Sequence, residues 1–417
     1  MKRFSLFSLF CLLACTALFS ISCTHSPTQK EFPQEYHLSG VRYPLGDMHV
    51  KDMELKNGFL FMCMRGNSSI RVYSATDYSF ISSFNKREEG YDFKMSQMMK
   101  SASPYLYMME VNRKNEIRKF EIDSLGQSVL LQRGYTGVSN SMNQPYIVND
   151  SLILFDEFIP EASIKIHNLH TNSTELTLPY GTTSLDNRFW DKNMGGLYAN
   201  DSCIIFVYKY QDRIDFYDWQ FNLTHSVNHQ KSEPAIYQHE SPRDKSPDNV
   251  LYYGFSFMGR NYFYTLYRGV SNRVFRSDSL LVNKDFGVYC YGITRNVLEV
   301  YGLDGHPVGR FRFDDVSPGV FVVDEEQNRL LGYRDAYPSS LLVYELEGLP
   351  KNGKKYPEPE KNHHHSSLPD TPEPEKAKAF IPGAYISTQS DIAPSYYLYM
   401  EGIGFFPTVE LMSPNRP

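Results

Sequence analysis

A short alternation of apolar and polar residues recurs six times along the chain and predicts its strands. Each copy holds an apolar residue, a residue that is usually polar, a third residue, and then an aromatic residue or histidine. The copies are Ile70–Tyr73, Ile117–Phe120, Ile164–His167, Ile214–Tyr217, Leu298–Tyr301 and Leu341–Tyr344. Compact copies lie about 45–50 residues apart. A repeat of this length in strand-patterned sequence is typical of the blades of a β-propeller.

Each copy sits in a segment that fits four consecutive strands separated by turn residues such as Asn57-Gly58. The predicted segments are Met48–Phe84, about Phe93–Arg133, about Asn143–Leu178, about Met194–His229, Leu251–Phe313 and Gly319–Glu347. The last segment lacks a fourth strand. We expect the extended stretch Glu35–Val41 to supply it and close the ring, which protects strand edges. The prediction is an all-β, six-bladed propeller over residues 35–348.

The N-terminus has the pattern of an export signal. Lys2 and Arg3 precede an apolar run, Phe4–Ile21, and this predicts a lipoprotein signal peptide over residues 1–22. Ser22-Cys23 resembles the end of a loose bacterial lipobox, so Cys23 is the expected lipidation site, followed by a tether over residues 23–34. Cys15 after Leu12-Leu13-Ala14 is the rival site, although cleavage there leaves an apolar run on the mature protein.

A diacylglycerol and an N-acyl chain together are enough for stable membrane attachment. We therefore expect a lipid-anchored protein of the bacterial cell envelope. The residues after Cys23 lack the acidic cluster expected of a surface-export signal, which favours the outer membrane facing the periplasm. Surface exposure stays open.

The composition changes after Gly348. Residues 349–379 are rich in Pro, Glu, Lys and His, including His363-His364-His365, and are predicted to form a linker. The histidines are interpreted as solvated linker residues rather than metal ligands. Residues 380–417 form a tail of unassigned structure that regains apolar character, and docking on the propeller or on a partner are both open.

Composition and motifs limit the chemistry. The formal net charge of -6 argues against nucleic acid as a partner. The 31 Tyr and 28 Phe are interpreted as blade core rather than as carbohydrate-stacking platforms. Cys63, Cys203 and Cys290 are odd in number and lack CxxC spacing, so neither a disulfide framework nor zinc is expected. Nucleophile-elbow, zinc-protease and P-loop motifs are missing from the sequence, so we expect no catalytic residue, metal or cofactor.

One family shares these features. The stretches Tyr262–Tyr267, Leu298–Val308, Val322–Glu325 and Leu342–Leu346 resemble the TolB-like six-bladed propeller lipoproteins of Bacteroidetes. The resemblance extends more weakly over residues 33–348, and the tail departs from it. It implies the propeller fold and an envelope location. It implies no activity, since a fold does not supply a function.

Charged residues end the second strand of every predicted segment. They are Arg65, Glu110, Asp156, Lys209, Arg268 and Arg334. In a closed ring these positions share one face at the channel mouth, where they predict a site for a protein, peptide or small anionic ligand. The simpler alternative is a set of solvated turn residues. A propeller hydrolase or lyase of lactonase type is the rival function, but it needs convergent carboxylates, and only two are present.

Three Asp-Ser-Leu triplets resemble the O-glycosylation sequon that Bacteroidetes use on exported proteins. Their serines, Ser124, Ser151 and Ser279, are predicted to lie in exposed turns and to carry glycan. The alternative is chance, since Asp-Ser is common in turns.

Overall fold

The computed structural model describes the central part of the chain. The described residues are 28–29, 31–46, 48–65, 69–84, 96–101, 103–110, 116–135, 142–157, 162–181, 195–229, 248–283, 288–291 and 296–349. The predicted signal peptide with Cys15 and Cys23, the linker after Leu349, and the tail 380–417 lie outside them.

The described residues are almost entirely β-strand. In chain order the elements are β1 (Thr28–Gln29), β2 (Glu35–Leu38), β3 (Val41–Pro44), β4 (Val50–Lys56), β5 (Phe59–Met64), β6 (Ile70–Ser74), β7 (Phe80–Phe84), β8 (Ser96–Ser101), β9 (Leu106–Glu110), β10 (Glu116–Ile122), β11 (Ser128–Tyr135), β12 (Met142–Ile147), β13 (Leu152–Glu157), β14 (Ala162–Asn168), β15 (Ser173–Gly181), β16 (Gly195–Ala199), β17 (Ile204–Tyr208), β18 (Ile214–Tyr217), β19 (Leu223–Asn228), β20 (Val250–Met258), β21 (Tyr262–Ser271), α1 (Asn272–Ser277), β22 (Ser279–Asn283), β23 (Val288–Tyr291), β24 (Val297–Gly302), β25 (Pro307–Phe313), β26 (Val320–Asp324), β27 (Arg329–Tyr333) and β28 (Ser340–Glu345). No helix among these residues is long and apolar enough to cross a membrane.

The strands form six four-stranded antiparallel units. Unit 1 is β4–β7, unit 2 is β8–β11, unit 3 is β12–β15 and unit 4 is β16–β19. Unit 5 is β20, β21, β24 and β25, with the hairpin β22–β23 and α1 inserted, and unit 6 is β26–β28 with β3. The six copies of the repeated phrase fall in the third strands, as the sequence predicts. The fold is all-β with a propeller-like arrangement.

The prediction of six separate blades is not met. Units 1, 4, 5 and 6 give four separate blades, whereas units 2 and 3 form one eight-stranded sheet. The reason is a parallel pairing of their first strands, in which Tyr146 lies opposite Lys100 and Ile147 opposite Ser101. Hydrogen bonding therefore continues across the position where a gap between blades was expected.

The first strands contact one another in a closed circuit, β4–β8–β12–β16–β20–β26 and back to β4. Apolar clusters join successive units. Phe61 and Phe120 lie in the cluster between units 1 and 2, and Phe216 and Phe263 lie in the cluster between units 4 and 5. The largest cluster is shared by units 5, 6 and 1. The core therefore lies between the units, where the inward positions of facing sheets meet.

Turn residues set the hairpins. Asn57 and Gly58, between β4 and β5, have φ angles of 52° and 78°. Two consecutive residues in this region match the two-residue turn that joins antiparallel strands, and Asn-Gly is its favoured sequence. The sequence prediction of this turn is confirmed.

Residues 28–44, which we call the N-terminal strap, cross three neighbouring units. β1 pairs in parallel with β19 of unit 4 and β2 pairs in parallel with β25 of unit 5. β3 pairs antiparallel with β28 and completes unit 6. An N-terminal strand closes the last unit as expected, but it is Val41–Pro44 rather than Glu35–Val41. Both stretches are extended, and main-chain pairing rather than side-chain pattern selects between them, since all four residues of β3 are exposed.

The cysteines follow the sequence prediction as far as they are described. Cys63 and Cys203 are buried and free. Burial raises the pKa of the Cys203 thiol to about 12, which keeps it protonated and unreactive at neutral pH. The Cys290 side chain lies outside the description.

Candidate functional site

The six charged residues predicted to line one end of the ring occupy equivalent places in the units. Arg65, Lys209 and Arg334 directly follow second strands β5, β17 and β27, and Glu110 ends β9. Asp156 and Arg268 lie near the ends of β13 and β21. Their side chains, however, differ in burial and in partners, so the six do not form a uniform ring.

Arg334 is almost completely buried, at 1% exposure, and its Nη1 donates to the carbonyl of Pro318 at 3.3 Å. The next residue, Asp335, accepts a hydrogen bond from the Tyr333 hydroxyl at 3.1 Å. Its other carboxylate oxygen lies 3.3 Å from Nη1 of Arg65. Arg65 of unit 1 is thereby joined to the segment of unit 6 that carries Arg334.

Arg268 of unit 5 is linked to the same segment through an amide. Its Nε donates to Oδ1 of Asn296 at 3.1 Å, and Nδ2 of Asn296 donates to Oγ of Ser317 at 2.7 Å. Ser317 directly precedes Pro318, the acceptor for Arg334. A short chain of hydrogen bonds therefore connects the two guanidinium groups.

The guanidinium of Arg268 packs against apolar and bare backbone surfaces. Its Cζ lies 4.4 Å from the ring centroid of Phe275 on α1. A Cβ atom built on Gly254 would lie 2.7 Å from Nη2 of Arg268, so the glycine leaves the room that the side chain occupies. Ser271 is the N-cap of α1: its side chain accepts a hydrogen bond from the Val274 amide and caps the helix that carries Phe275.

Burial and the positive charge of Arg334 lower the pKa of Arg268 to about 9, while Tyr210 acts in the opposite direction. Burial and a like charge both disfavour the charged form of a base. Two cations thus share a poorly solvated region, where an added negative charge would relieve their repulsion.

The other three predicted residues differ. Nζ of Lys209 lies 5.3 Å from the centroid of the Tyr210 ring. Asp156 is completely buried. The side chain of Glu110 lies outside the description. The structure therefore brings together Arg65, Arg268 and Arg334, which with Asp335 and Asn296 we call the arginine cluster.

A second polar cluster, between units 4 and 5, was missed by the sequence interpretation. Nδ1 of His229 lies 2.7 Å from Oδ1 of Asp212, and Nε2 lies 2.7 Å from Oε1 of Glu299. A neutral imidazole has only one N–H, so donation to both carboxylates requires a protonated ring. The ring of Tyr267 lies 4.1 Å from the ring of His229, which fixes the residue directly before Arg268.

A sequence signal for this second cluster existed in the repeated phrase. Its second position is Asp215 in unit 4 and Glu299 in unit 5, and both are completely buried. A carboxylate in a strand whose neighbours are all buried requires donors close by. The donors come from residues distant in the sequence, such as His229, and for that reason the pattern alone did not identify the cluster.

Within the described ranges, no group of three or more His, Cys, Asp or Glu side chains is placed to hold a metal ion. The serines of the three Asp-Ser-Leu triplets occupy different settings. Ser124 is exposed in the turn before β11, and Ser151 is half-buried in the turn before β13. Ser279 is the first residue of β22, so the prediction that all three lie in exposed turns is wrong for Ser279.

Comparison with known proteins gave structural likenesses only. No family model matches the chain, and no curated protein matches it. The chain is similar to a Bacteroides fragilis NCTC 9343 protein assigned as exported, with 9% identity, a TM-score of 0.47, and coverage of 76% of this chain and 99% of the other. It is also similar to a DUF4221-family member from Bacteroides vulgatus ATCC 8482, with 12% identity, a TM-score of 0.44, and coverage of 73% and 95%.

A third similar structure is BamB from Moraxella catarrhalis, with 9% identity, a TM-score of 0.34, and coverage of 72% of this chain and 85% of the other. Identities and TM-scores this low carry no argument about function. The predicted relationship to the TolB-like family is not confirmed.

Proposed function

We propose that this protein is an exported, lipid-anchored binding scaffold of the cell envelope, and that its arginine cluster takes an anionic ligand or an acidic segment of a partner. The observation that carries the proposal is the link between Arg268 and Arg334 through Asn296 and the Ser317-Pro318 segment. Paired guanidinium groups bind carboxylate or phosphate oxygens through two parallel hydrogen bonds each.

The scaffold is proposed to be a six-unit propeller, with the eight-stranded sheet counted as two blades. The closed circuit of first strands supports this count, since it passes once through each unit. The parallel pairing between β8 and β12 covers two residue pairs, whereas antiparallel pairing inside units 2 and 3 covers whole strands.

Attachment through Cys23 places the membrane near unit 4. Thr28 at the start of the strap is five positions after Cys23, a reach of about 17 Å when the chain is extended. We expect Cys23→Ala to abolish fatty-acid labelling and to release the protein from membranes. Persistent labelling in Cys23→Ala with loss in Cys15→Ala assigns the anchor to Cys15 instead.

Glycan on Ser124, Ser151 or Ser279 is checked by the intact mass of the mature native protein.

The anion site is tested with three probes: succinate, inorganic phosphate and a glutamate-rich peptide. Their binding is measured by calorimetry and by the shift in the thermal unfolding temperature. Binding of at least one probe is expected in the parent protein and is expected to weaken with added salt. Arg268→Gln should lower the affinity at least tenfold, and Arg334→Gln should do the same if it folds.

Arg273→Gln is the matched control. Arg273 is an exposed arginine on α1 and pairs with Asp248 at 3.0 Å. The Arg273→Gln substitution removes one positive charge, as Arg268→Gln does, and should leave probe binding unchanged. Equal loss in Arg273→Gln and Arg268→Gln would show a general charge effect, and absence of binding by all three probes in the parent protein would refute the anion site.

A further inference from the structure

The outer strand of unit 2 exposes three consecutive apolar residues. Val129, Leu130 and Leu131 of β11 are 56%, 37% and 45% exposed, and Leu125 in the preceding turn is 71% exposed. Val129 and Leu130 are successive residues of the strand and point to opposite faces, so β11 is apolar on both sides. The register with β10 shifts at Leu131, which forms a β-bulge. Among the described strands it pairs with β10 alone.

The other outer edges are protected. β1 covers β19 of unit 4, and β2 covers β25 of unit 5. β7 has only five residues, and β15 carries Glu175 and Pro179. Shortness, charge, proline and covering strands are the means by which proteins prevent unwanted pairing at sheet edges. The first five residues of β11, Ser128–Gln132, have neither charge nor proline. This edge is therefore suited to receive another strand.

The chain itself supplies a strand of matching character. Beyond Leu349 it continues for 68 residues, and the stretch Tyr396–Met400 reads Tyr-Tyr-Leu-Tyr-Met. Aromatic residues of this kind favour strands. The N-terminal strap already covers two outer edges with segments of this chain, so covering an edge in cis is a device that this fold uses.

The length of the connection fits. Leu349 and Tyr396 are 47 residues apart, and a flexible chain of that length has an average end-to-end distance of about 40 Å. A tether of this length keeps the tail segment around the described units at an effective concentration on the order of millimolar. A second copy of the chain or a separate protein has no such advantage at low concentration.

We propose that the tail segment Tyr396–Met400 adds as an extra strand to the exposed edge of β11. The extra strand buries Val129 on one face and Leu130 on the other. This proposal does not depend on the arginine cluster, and either can fail without the other.

A cysteine pair tests the contact. Leu131→Cys combined with Tyr397→Cys is oxidised mildly in the full-length protein at low concentration and read on non-reducing gels and by mass spectrometry. An intramolecular disulfide is expected to form at least tenfold faster than in the control pair Leu131→Cys with Ser367→Cys, which places the second thiol in the linker. The native Cys63 and Cys203 are buried and free, and both pairs are built with Cys290→Ser so that the third native thiol cannot react.

Hydrogen exchange supplies a second readout. Leu398→Pro removes a main-chain donor from the tail strand, and should speed exchange of the β11 amides at least tenfold, whereas Ala377→Pro in the linker should not. A covalent dimer in the cysteine experiment would show that a second copy covers the edge. Equal cross-linking in both pairs, or unchanged exchange in Leu398→Pro, would show that the tail does not bind there. Each of these three outcomes overturns the proposal.

Discussion

Units 4 and 5, which the strap covers, differ from units 1 to 3, which it leaves bare, although all five contain the same repeated phrase. In the covered units the second position of the phrase is an acid, Asp215 or Glu299, with no exposed surface. In the bare units it is a base: Arg71, Arg118 or Lys165. The same place in the strand pattern therefore holds opposite charges in the two regions.

The partners differ as well. Asp215 accepts hydrogen bonds from the hydroxyls of Tyr208, Tyr217 and Ser226 at 3.0, 3.1 and 2.6 Å, and from Nε of Arg213 at 2.7 Å. In unit 2, by contrast, Arg118 pairs with Glu116, two residues away in the same strand, at 3.0 Å. Unit 4 thus holds a buried carboxylate with four donors, whereas the base of unit 2 pairs with an acid of its own strand.

The largest expected effect comes from removing the buried carboxylate. Asp215→Ala leaves Arg213 and the two tyrosine hydroxyls without their acceptor, and breaking a buried charge network of this kind costs about 3–5 kcal/mol of unfolding free energy. Lys165→Ala in unit 3 should cost about 1 kcal/mol because its ammonium is closer to solvent. Urea denaturation measures both.

Asp201→Ala is the control, since Asp201 is an exposed turn residue in unit 4. Its unfolding free energy should stay close to that of the parent protein. A cost for Asp215→Ala no larger than that for Lys165→Ala would show that the two regions do not differ in the way their charges are held.

Much of this fold could be predicted because its determinants are local. The phrase places the third strands, and Asn57-Gly58 fixes a hairpin through its own backbone preferences. What could not be predicted was parallel pairing at the edges. β1 and β2 bind main-chain groups of strands about 200 to 275 residues away, and pairing of backbone groups leaves little trace in side-chain pattern.

The candidate site could likewise be predicted from the sequence only in part. The position of Arg65, Arg268 and Arg334 at or near the ends of second strands could be predicted from the repeat. Asn296, which joins two of these arginines, precedes β24 after the inserted hairpin, so no periodicity points to it. The burial of Asp156, and with it the loss of a uniform ring, depends on packing between units and was equally hidden from the sequence.

The strap should contribute a smaller amount of stability than the Asp215 network. Leu38 of β2 is 2% exposed and lies in the large core cluster shared by units 5, 6 and 1. Leu38→Ala should lower the unfolding free energy by about 2–3 kcal/mol, the lower part of the range for buried leucines, because a four-residue outer strand can relax. Val41→Ala in β3 is the control, since Val41 is 56% exposed. Similar costs for both would mean that strap side chains do not enter the core.

Two turn glycines, one in each region, differ in whether a side chain at that position would contact a neighbouring unit. Gly58 in unit 1 and Gly305 in unit 5 have φ angles of 78° and 82°, so a side chain strains both, at about 1–2 kcal/mol. A Cβ on Gly305 would also collide with the His225 ring of unit 4, whereas a Cβ on Gly58 meets nothing within 4 Å. Gly305→Ala should therefore be more destabilising than Gly58→Ala by thermal unfolding. The reverse order would show that unit 4 does not confine this turn.

The smallest expected effect is a change in unfolding free energy at acid pH. A hydrogen bond from Arg312 is the largest cause that lowers the pKa of Glu35 in the strap, and the charges of Arg312, Arg310 and His37 add to it, against the effect of burial. A carboxyl with a lowered pKa in the folded state stabilises the protein above its ordinary pKa of 4.5, and this contribution disappears as the pH falls through the folded-state pKa. The pair is solvent-exposed and screened, so the contribution is about 0–1 kcal/mol. Glu35→Gln should be less stable than the parent by that amount at pH 6, and this deficit should become smaller as the pH is lowered to 3, as measured by urea denaturation at both values. Asp314, which binds Ser39 and His37, is present in both proteins and cancels in this difference. A Glu35→Gln protein whose deficit is the same at both pH values would show that the strap is not held by this ion pair.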